Sequence, residues 1–185
     1  MAPTAVSART LVTVTGVRVP VPDPDHLVHL QFRRFAGCPV CNLHLRSIVN
    51  RKAEIDAAGI REVVLFHSSA DALRPYTAGL PLDVVPDPGR ALYREFGVES
   101  SPRALLDARS WPGIVRAVAH ELRAVRRGRP APPPHPEGGR LGLPADFLIA
   151  PDGRVLAGKY GVHADDQWSV DELLALAPKG AEDHA

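Results

Sequence analysis

Two cysteines, Cys38 and Cys41, are the only ones in 185 residues, and they stand three positions apart in the run Gly37-Cys38-Pro39-Val40-Cys41. Thiol chemistry runs through the thiolate, so the question is what would ionise one of them. Pro39 suits a first helical position, because its missing N–H would be an orphan there anyway. Leu45, Ile48, Val49 and Ile55 follow as a rough apolar stripe, with Gly59 as a stop, so the motif should open a helix. At a helix start the first N–H groups lack intrahelical partners and the dipole is positive. A Cys38 sulfur at the N-cap would be held there as an anion. Thiols so placed titrate at roughly 3.5–7.5 instead of about 8.5. Cys41, one turn later, should be less exposed and within disulfide reach. The implied cycle has Cys38 attack a disulfide or a peroxide and Cys41 close on Cys38 to release product.

Two other readings of the pair stay open. The cysteines are inert neighbours, or they belong to a zinc site with His44 and a fourth ligand from His67 or His163. Structural zinc takes four ligands, often from two separated pairs, and no second cysteine pair exists here.

The elements that must position the motif read as follows. Residues 11–21 (LVTVTGVRVPV) alternate β-formers about Gly16 and predict a small N-terminal hairpin. Leu27–Phe35 alternates apolar and polar residues, a strand running into Gly37. Glu62–His67 is a short apolar run of the central-strand kind. Asp71–Gly79 suits a short helix, Leu82–Val85 a strand, and Pro88–Phe96 a helix ending at Gly97. Phe147–Ala150, a turn at Pro151–Gly153 and Arg154–Tyr160 form a late hairpin. Val170–Ala177 closes the chain as a helix capped by Ser169 with Glu172 at N3. The expected fold is α/β with a central mixed sheet flanked by helices, preceded by the hairpin. Residues 1–9 are expected to be flexible, 10–177 to form the domain, and the tail 178–185 to fray.

Within that domain an insertion is expected at about 103–142. A helix there should carry Ile114, Val115, Val118, Leu122 and Val125 on its apolar side, with Arg116, Arg123, Arg126, Arg127 and Arg129 around it. Pro130–Gly139 (PAPPPHPEGG) reads as an exposed loop. Trp111 and the arginines suit either a docking surface for an acidic or thiol-bearing partner or a solvated face.

Several single residues bear on the thiol. Arg33 and Arg34 point to opposite faces of a strand, so at most one adds positive charge near Cys38. Pro144, directly before a late strand, suits a cis bond presenting an open backbone edge to substrate, or an ordinary strand start. His44 is read as a surface residue or a proton shuttle. His67 reads as a partly buried strand end. Asp165, Asp166, Gln167 and Trp168 read as a capping turn before the last helix.

Composition bounds the rest. Twenty-two Lys and Arg against 21 Asp and Glu leave a net charge of +1, which gives no reason to expect nucleic acid or an acidic membrane as partner. A hydrophobic share of 45% is that of a globular protein. Met1–Arg9 lacks a secretory pattern and no window approaches roughly 18 apolar residues, so a cytoplasmic location is expected. There a close cysteine pair is more often catalytic or metal-binding than a staple.

A CxxC at the start of the first long helix with Leu143-Pro144 before a late strand resembles the thioredoxin superfamily. The runs Phe32–Cys41 and Ala145–Val155 resemble its peroxiredoxin-like (AhpC/TSA-related) branch, over roughly residues 10–177. The resemblance implies Cys38 as nucleophile, Cys41 as resolving thiol and Pro144 as cis-proline, with Arg34, Gly37 and Pro39 beside the substrate. It implies a thiol-disulfide oxidoreductase with weak peroxidase activity, working on a disulfide or peroxide with a thiol reductant, without metal or organic cofactor, as monomer or homodimer. Peroxiredoxins carry Thr or Ser three residues before that cysteine and Pro four further back; here stand Phe35 and Gln31, and the peroxide-orienting hydroxyl is missing. Pro directly after the first Cys is closer to the glutaredoxin pattern. Other classes remain: a non-catalytic binding or redox-sensing protein, or the same fold recruited to a specialised metabolic transformation.

Overall fold

The computed structural model describes residues 3–98, 100–101 and 106–178. Its strands are β1 (Arg9–Val12), β2 (Arg18–Val21), β3 (Leu27–Arg33), β4 (Ile60–Phe66), β5 (Asp83–Pro86), β6 (Ala145–Ile149) and β7 (Val155–Tyr160). Its helices are α1 (Pro39–Asn50), α2 (Lys52–Ala57), α3 (Ala70–Thr77), α4 (Ala91–Glu95), α5 (Trp111–Arg126) and α6 (Val170–Leu176). One sheet has the order β5-β4-β3-β6-β7, with β3, β4 and β5 parallel and β6 and β7 antiparallel. β1 and β2 pair separately as the expected hairpin, turning at Gly16. This is the mixed-sheet, thioredoxin-like arrangement the strand and helix order implied.

β3 is central, and both of its faces are buried. Val28, Leu30 and Phe32 pack with Val63 and Leu65 of β4, Phe147 of β6, the hairpin valines Val19 and Val21, and Tyr93 and Phe96 at α4. Phe32 meets Tyr93 edge-on at a ring separation of 5.0 Å, a favoured aromatic geometry. The opposite face carries His29, Gln31 and Arg33. All three side chains are nonetheless buried, with His44 of α1 beside Arg33 and Trp168, just before α6, against the His29 ring.

The polar groups survive burial because they satisfy one another. His29 reaches Glu62 through Nδ1 at 2.9 Å and Asp146 through Nε2 at 3.2 Å. With a carboxylate at each nitrogen both must donate, so the ring is an imidazolium. Burial opposes that charge, but Glu62 and Asp146 outweigh it and raise its pKa to about 9. Arg33 donates to Asp146 at 2.6 Å, to Gln31 at 2.6 and 3.1 Å, and to the Phe32 carbonyl. Gln31 in turn donates to Glu62.

Near the N-terminus Val155 N–H donates to Thr4, Val6 N–H donates to Gly153 at 2.8 Å, and Arg9 forks onto Glu95. Two expectations are corrected. On α5 the buried face is Gly113, Ala117 and Glu121, two of them small, while Val115, Val118 and Leu122 are exposed. Small residues let the helix approach closely; a Cβ at Gly113 would fall 1.9 Å from Asp165 Oδ2. His44 is half-buried rather than on the surface, its Nε2 accepting from Arg33 at 3.0 Å. The closing helix is capped as expected, Ser169 and Glu172 forming a reciprocal capping box. The tail 179–185 lies outside the described residues.

Candidate active site

The site forms where parallel strands β3 and β4 end, the usual place for function in such sheets. β3 hands over through Arg34-Phe35-Ala36-Gly37, and Cys38 N–H donates to Phe35 O at 3.1 Å to close the turn. Ala36 N–H donates to the Ser68 hydroxyl at 3.0 Å, fixing the turn to the end of β4. Gly37 sits at φ +75°, where side chains are strained, and a Cβ there would fall 2.8 Å from the Tyr76 ring. Cys38 is then the N-cap of α1 with non-helical ψ of 117°, and Pro39 is the first helical residue.

The geometry supplies the anion site. Cys38 Sγ accepts from Cys41 N–H at 3.4 Å, the side-chain-to-backbone bond of an N-cap. Arg34 Nη1 approaches the same sulfur at 3.8 Å. Burial pushes the Cys38 thiol up, but the bond from the Cys41 thiol, the Arg34 charge and the amide groups at the helix start outweigh it. The result is a pKa lowered to about 6. Burial and the neighbouring Cys38 thiolate push Cys41 well above its ordinary value. Both thiols are free and fully covered, Cys38 at 0% exposure and Cys41 at 1%.

Cys38 and Cys41 are buried in one cluster with Phe35, Leu45, Phe66, Leu73 and Ala117 of α5, and the chain after α5 packs against the turn before Cys38. Pro133 packs over Gly37, Arg34 donates to the Arg140 carbonyl, and Arg140 lies over the Phe35 ring at 5.5 Å. Glu137 accepts from Ser69 N–H at 2.7 Å and from its hydroxyl at 3.1 Å. Residues 130–142 are thus an exposed loop, as expected, that is strapped against the turn carrying Cys38. Nothing in a proline-rich composition indicates where it lands; only these contacts do.

His67, read from the sequence as a partly buried strand end, is 1% exposed. It lies beside the strap glycines Gly138 and Gly142, edge-on to Tyr93 at 5.7 Å. Neither ring nitrogen has a hydrogen-bond partner, and Nε of Arg34 is likewise buried and unpartnered. Burial first, then the Arg90 charge, lower the His67 pKa to about 4, so the ring is neutral.

The remaining sequence candidates separate. Of the two arginines, Arg34 reaches the thiol and Arg33 turns away to Asp146, as alternation requires. The Leu143–Pro144 bond is trans; the cis bond among the described residues is Val21–Pro22. The chain enters β6 extended, and Pro144 O accepts from Gly161 N–H at 2.8 Å, so no tight turn overrides the ordinary trans preference. His44 faces Arg33, and no group of three His, Cys, Asp or Glu side chains that could hold a metal ion is found among the described residues. Asp166 pairs with Lys159 at 2.9 Å and accepts from Val162 N–H. Tyr76, Ser68 and His67 complete the site without any sequence signal that ties them to Cys38.

The family model described as AhpC/TSA antioxidant enzyme matches residues 47–163, beginning after the cysteine pair. No curated protein is similar in sequence at a significant level. Among solved structures the chain resembles peroxidoxin BcpB from Mycobacterium tuberculosis, with TM-score 0.67 and 16% identity over 96% of this chain and 97% of that one. It also resembles a putative thiol:disulfide interchange protein DsbE from Chlorobium tepidum, with TM-score 0.57 and 20% identity over 96% and 99%. StoA from Bacillus subtilis superposes with TM-score 0.59 and 13% identity over 95% and 100%. At these identities the structural likeness is one of fold, and the family follows from the sequence match, which covers more than half of the chain: the protein belongs to the AhpC/TSA family, on a thioredoxin-like fold.

Proposed function

We propose that the protein is a thiol-disulfide oxidoreductase in which Cys38 attacks and Cys41 resolves. The observation that carries the reading is the Cys38 sulfur at the N-cap of α1, facing the Cys41 amide at 3.4 Å and the Arg34 guanidinium at 3.8 Å. With a pKa near 6 it is mostly thiolate at neutral pH, while Cys41 keeps its proton. The Cys38 thiolate attacks one sulfur of a substrate disulfide, the S–S bond breaks, and the leaving thiolate takes a proton. Cys41 then loses its proton and attacks Cys38, releasing the second thiol and leaving a Cys38–Cys41 disulfide. The substrate gains two electrons, the pair loses two, and an external thiol reductant restores it. A hydroperoxide enters the same cycle through a sulfenic acid on Cys38, with an alcohol and then water leaving. Phe35 offers no hydroxyl to orient a peroxide, so that branch is slow.

In this reading Arg34, Gly37 and Pro39 border the incoming substrate, the backbone at Pro144 is a further contact, and the strap must swing aside. The test uses Cys41→Ser and Cys38→Ser with a model aromatic disulfide and with hydrogen peroxide. Cys41→Ser should accumulate a mixed disulfide on Cys38, visible by mass, and Cys38→Ser should show neither adduct nor turnover. Full activity in Cys38→Ser overturns the assignment.

One observation favours a second reading, a non-catalytic redox sensor: both thiols are fully buried. The pH dependence of alkylation separates the two. An inflection near that of free cysteine supports the sensor, and one near 6 supports the enzyme.

A further inference from the structure

The C-terminal end of α5 carries charge that the thiol site does not use. Arg123, Arg126, Arg127 and Arg129 follow one another closely, and Glu121 is the single acid between Arg116 and Glu137. Glu121 is turned inward and buried beneath the helix. α5 ends in a Schellman turn: Gly128, at φ +93°, donates its N–H to Val125 at 2.9 Å, and Arg129 N–H donates to Ala124 at 3.1 Å. Only a residue free to adopt that φ permits the reversal. It folds Arg129 back along the helix, where Nη2 donates to Tyr76 O at 3.4 Å. Nη1 stays 4.0 Å from Glu121, buried and without a hydrogen-bond partner.

Arg129 forms one wall of a cavity of about 240 Å³, completed by Arg46 of α1 and by His120, Arg123 and Arg127 of α5. Arg46, Arg123 and Arg127 have no acidic partner among the described residues. A second cavity, about 430 Å³, shares Arg46 and Arg129 and continues between α1 and α3 past Leu45, Val49, Tyr76 and Leu80. Four guanidinium groups around one concave space, against a single buried carboxylate, repel one another; an anion of more than one charge relieves that repulsion. Arginine forks match phosphate oxygens two at a time. The adjoining apolar walls, in turn, suit an organic body of the size small-molecule sites hold, roughly 300–1,000 Å³.

We propose that this paired cavity binds a phosphorylated small molecule, its phosphate among Arg46, Arg123, Arg127 and Arg129 and its organic part against Leu45, Val49 and Tyr76. The arginine end lies on α5 away from Cys38, while Tyr76 borders both sites, and the proposal stands whether or not the thiols turn over. Calorimetry at fixed ionic strength, with inorganic phosphate, pyrophosphate and phenyl phosphate as probes, tests it. Phenyl phosphate and pyrophosphate should each bind one per chain, and phenyl phosphate should bind at least fivefold tighter than inorganic phosphate. The double variant Arg123→Gln, Arg127→Gln changes exposed positions and should keep the wild-type circular dichroism while losing at least tenfold in affinity for both. Arg18→Gln, exposed on β2, should change neither. No saturable binding at millimolar probe, equal affinity for phenyl and inorganic phosphate, or an equal loss in Arg18→Gln overturns the proposal.

Discussion

Arg33 and Arg34 are neighbours in sequence and carry the same charge, yet they serve two regions with opposite characters. Arg33 enters the seam beneath α1, where Asp146, Gln31, the Phe32 carbonyl and His44 take its donors. Every charge there is matched, so the seam resists change. Arg34 turns to the thiol, where Nε has no partner and Nη1 meets only a sulfur at 3.8 Å. Beside it His67 has two idle ring nitrogens. Buried polar groups left unsatisfied are costly, and this region tolerates several within one cluster. The contrast separates scaffold from site: matched groups hold three strands in register, and unmatched ones remain available to an incoming substrate.

The contrast breaks most visibly at Cys38. Cys38→Ser should abolish turnover with disulfide and with peroxide while leaving urea unfolding nearly unchanged; a large loss of stability would place the sulfur with the scaffold instead. Asp146→Ala should do the reverse. Removing Asp146 leaves Arg33 without a carboxylate and His29 with Glu62 alone, at about 3–5 kcal/mol. A loss below about 1 kcal/mol in urea unfolding would show that the seam is not what holds the strands. The third comparison sets Arg34→Met against wild type. Losing the nearby positive charge should raise the alkylation inflection of Cys38 from about 6 by roughly one unit and, through the smaller thiolate fraction, lower turnover at pH 6.5 about threefold.

A subtler test reads the seam through pH. His29 has a folded pKa of about 9 against an unfolded value near 6.5. Its stabilisation is therefore complete below about pH 6.5 and lost as pH rises through about 9. Asp146, held well below the usual carboxylate range, contributes above about pH 4 and loses that contribution only in acid. In a Cys38→Ser, Cys41→Ser background, where no thiol titrates, the urea midpoint should fall between pH 6.5 and 9.5, and His29→Gln should flatten that fall. The smallest effect belongs to the strap. Glu137→Ala removes the two bonds to Ser69, and partly exposed as they are, Cys38 alkylation should quicken about threefold.

Much of the fold was legible because local chemistry and tertiary packing agree. Ser169 with Glu172 marks a helix start that the structure uses, Pro39 opens α1, and the β-formers about Gly16 make a hairpin. Legibility failed where two faces of one element compete. On α5 both a valine and leucine stripe and the stripe of Gly113, Ala117 and Glu121 have helical period, and close approach to the neighbouring chain selected the second. On β3 the alternation of polar and apolar residues marks two faces, but the pattern does not say whether protein or water covers the polar one. The trans bond at Pro144 has the same origin, since its conformation depends on the extended entry into β6 and the bond to Gly161.

By itself the sequence determined the close cysteine pair, because two residues between cysteines at a helix start place both side chains within one turn, and that relation is local. It also determined that Arg33 and Arg34 diverge, because strand alternation is a property of the backbone. Which arginine meets the thiol, what covers it, and which histidine is left idle beside it were settled by contacts between segments as much as 106 residues apart, such as Arg34 with Arg140. Such contacts depend on how close-packed surfaces fit in three dimensions, and no periodicity along the chain records that fit.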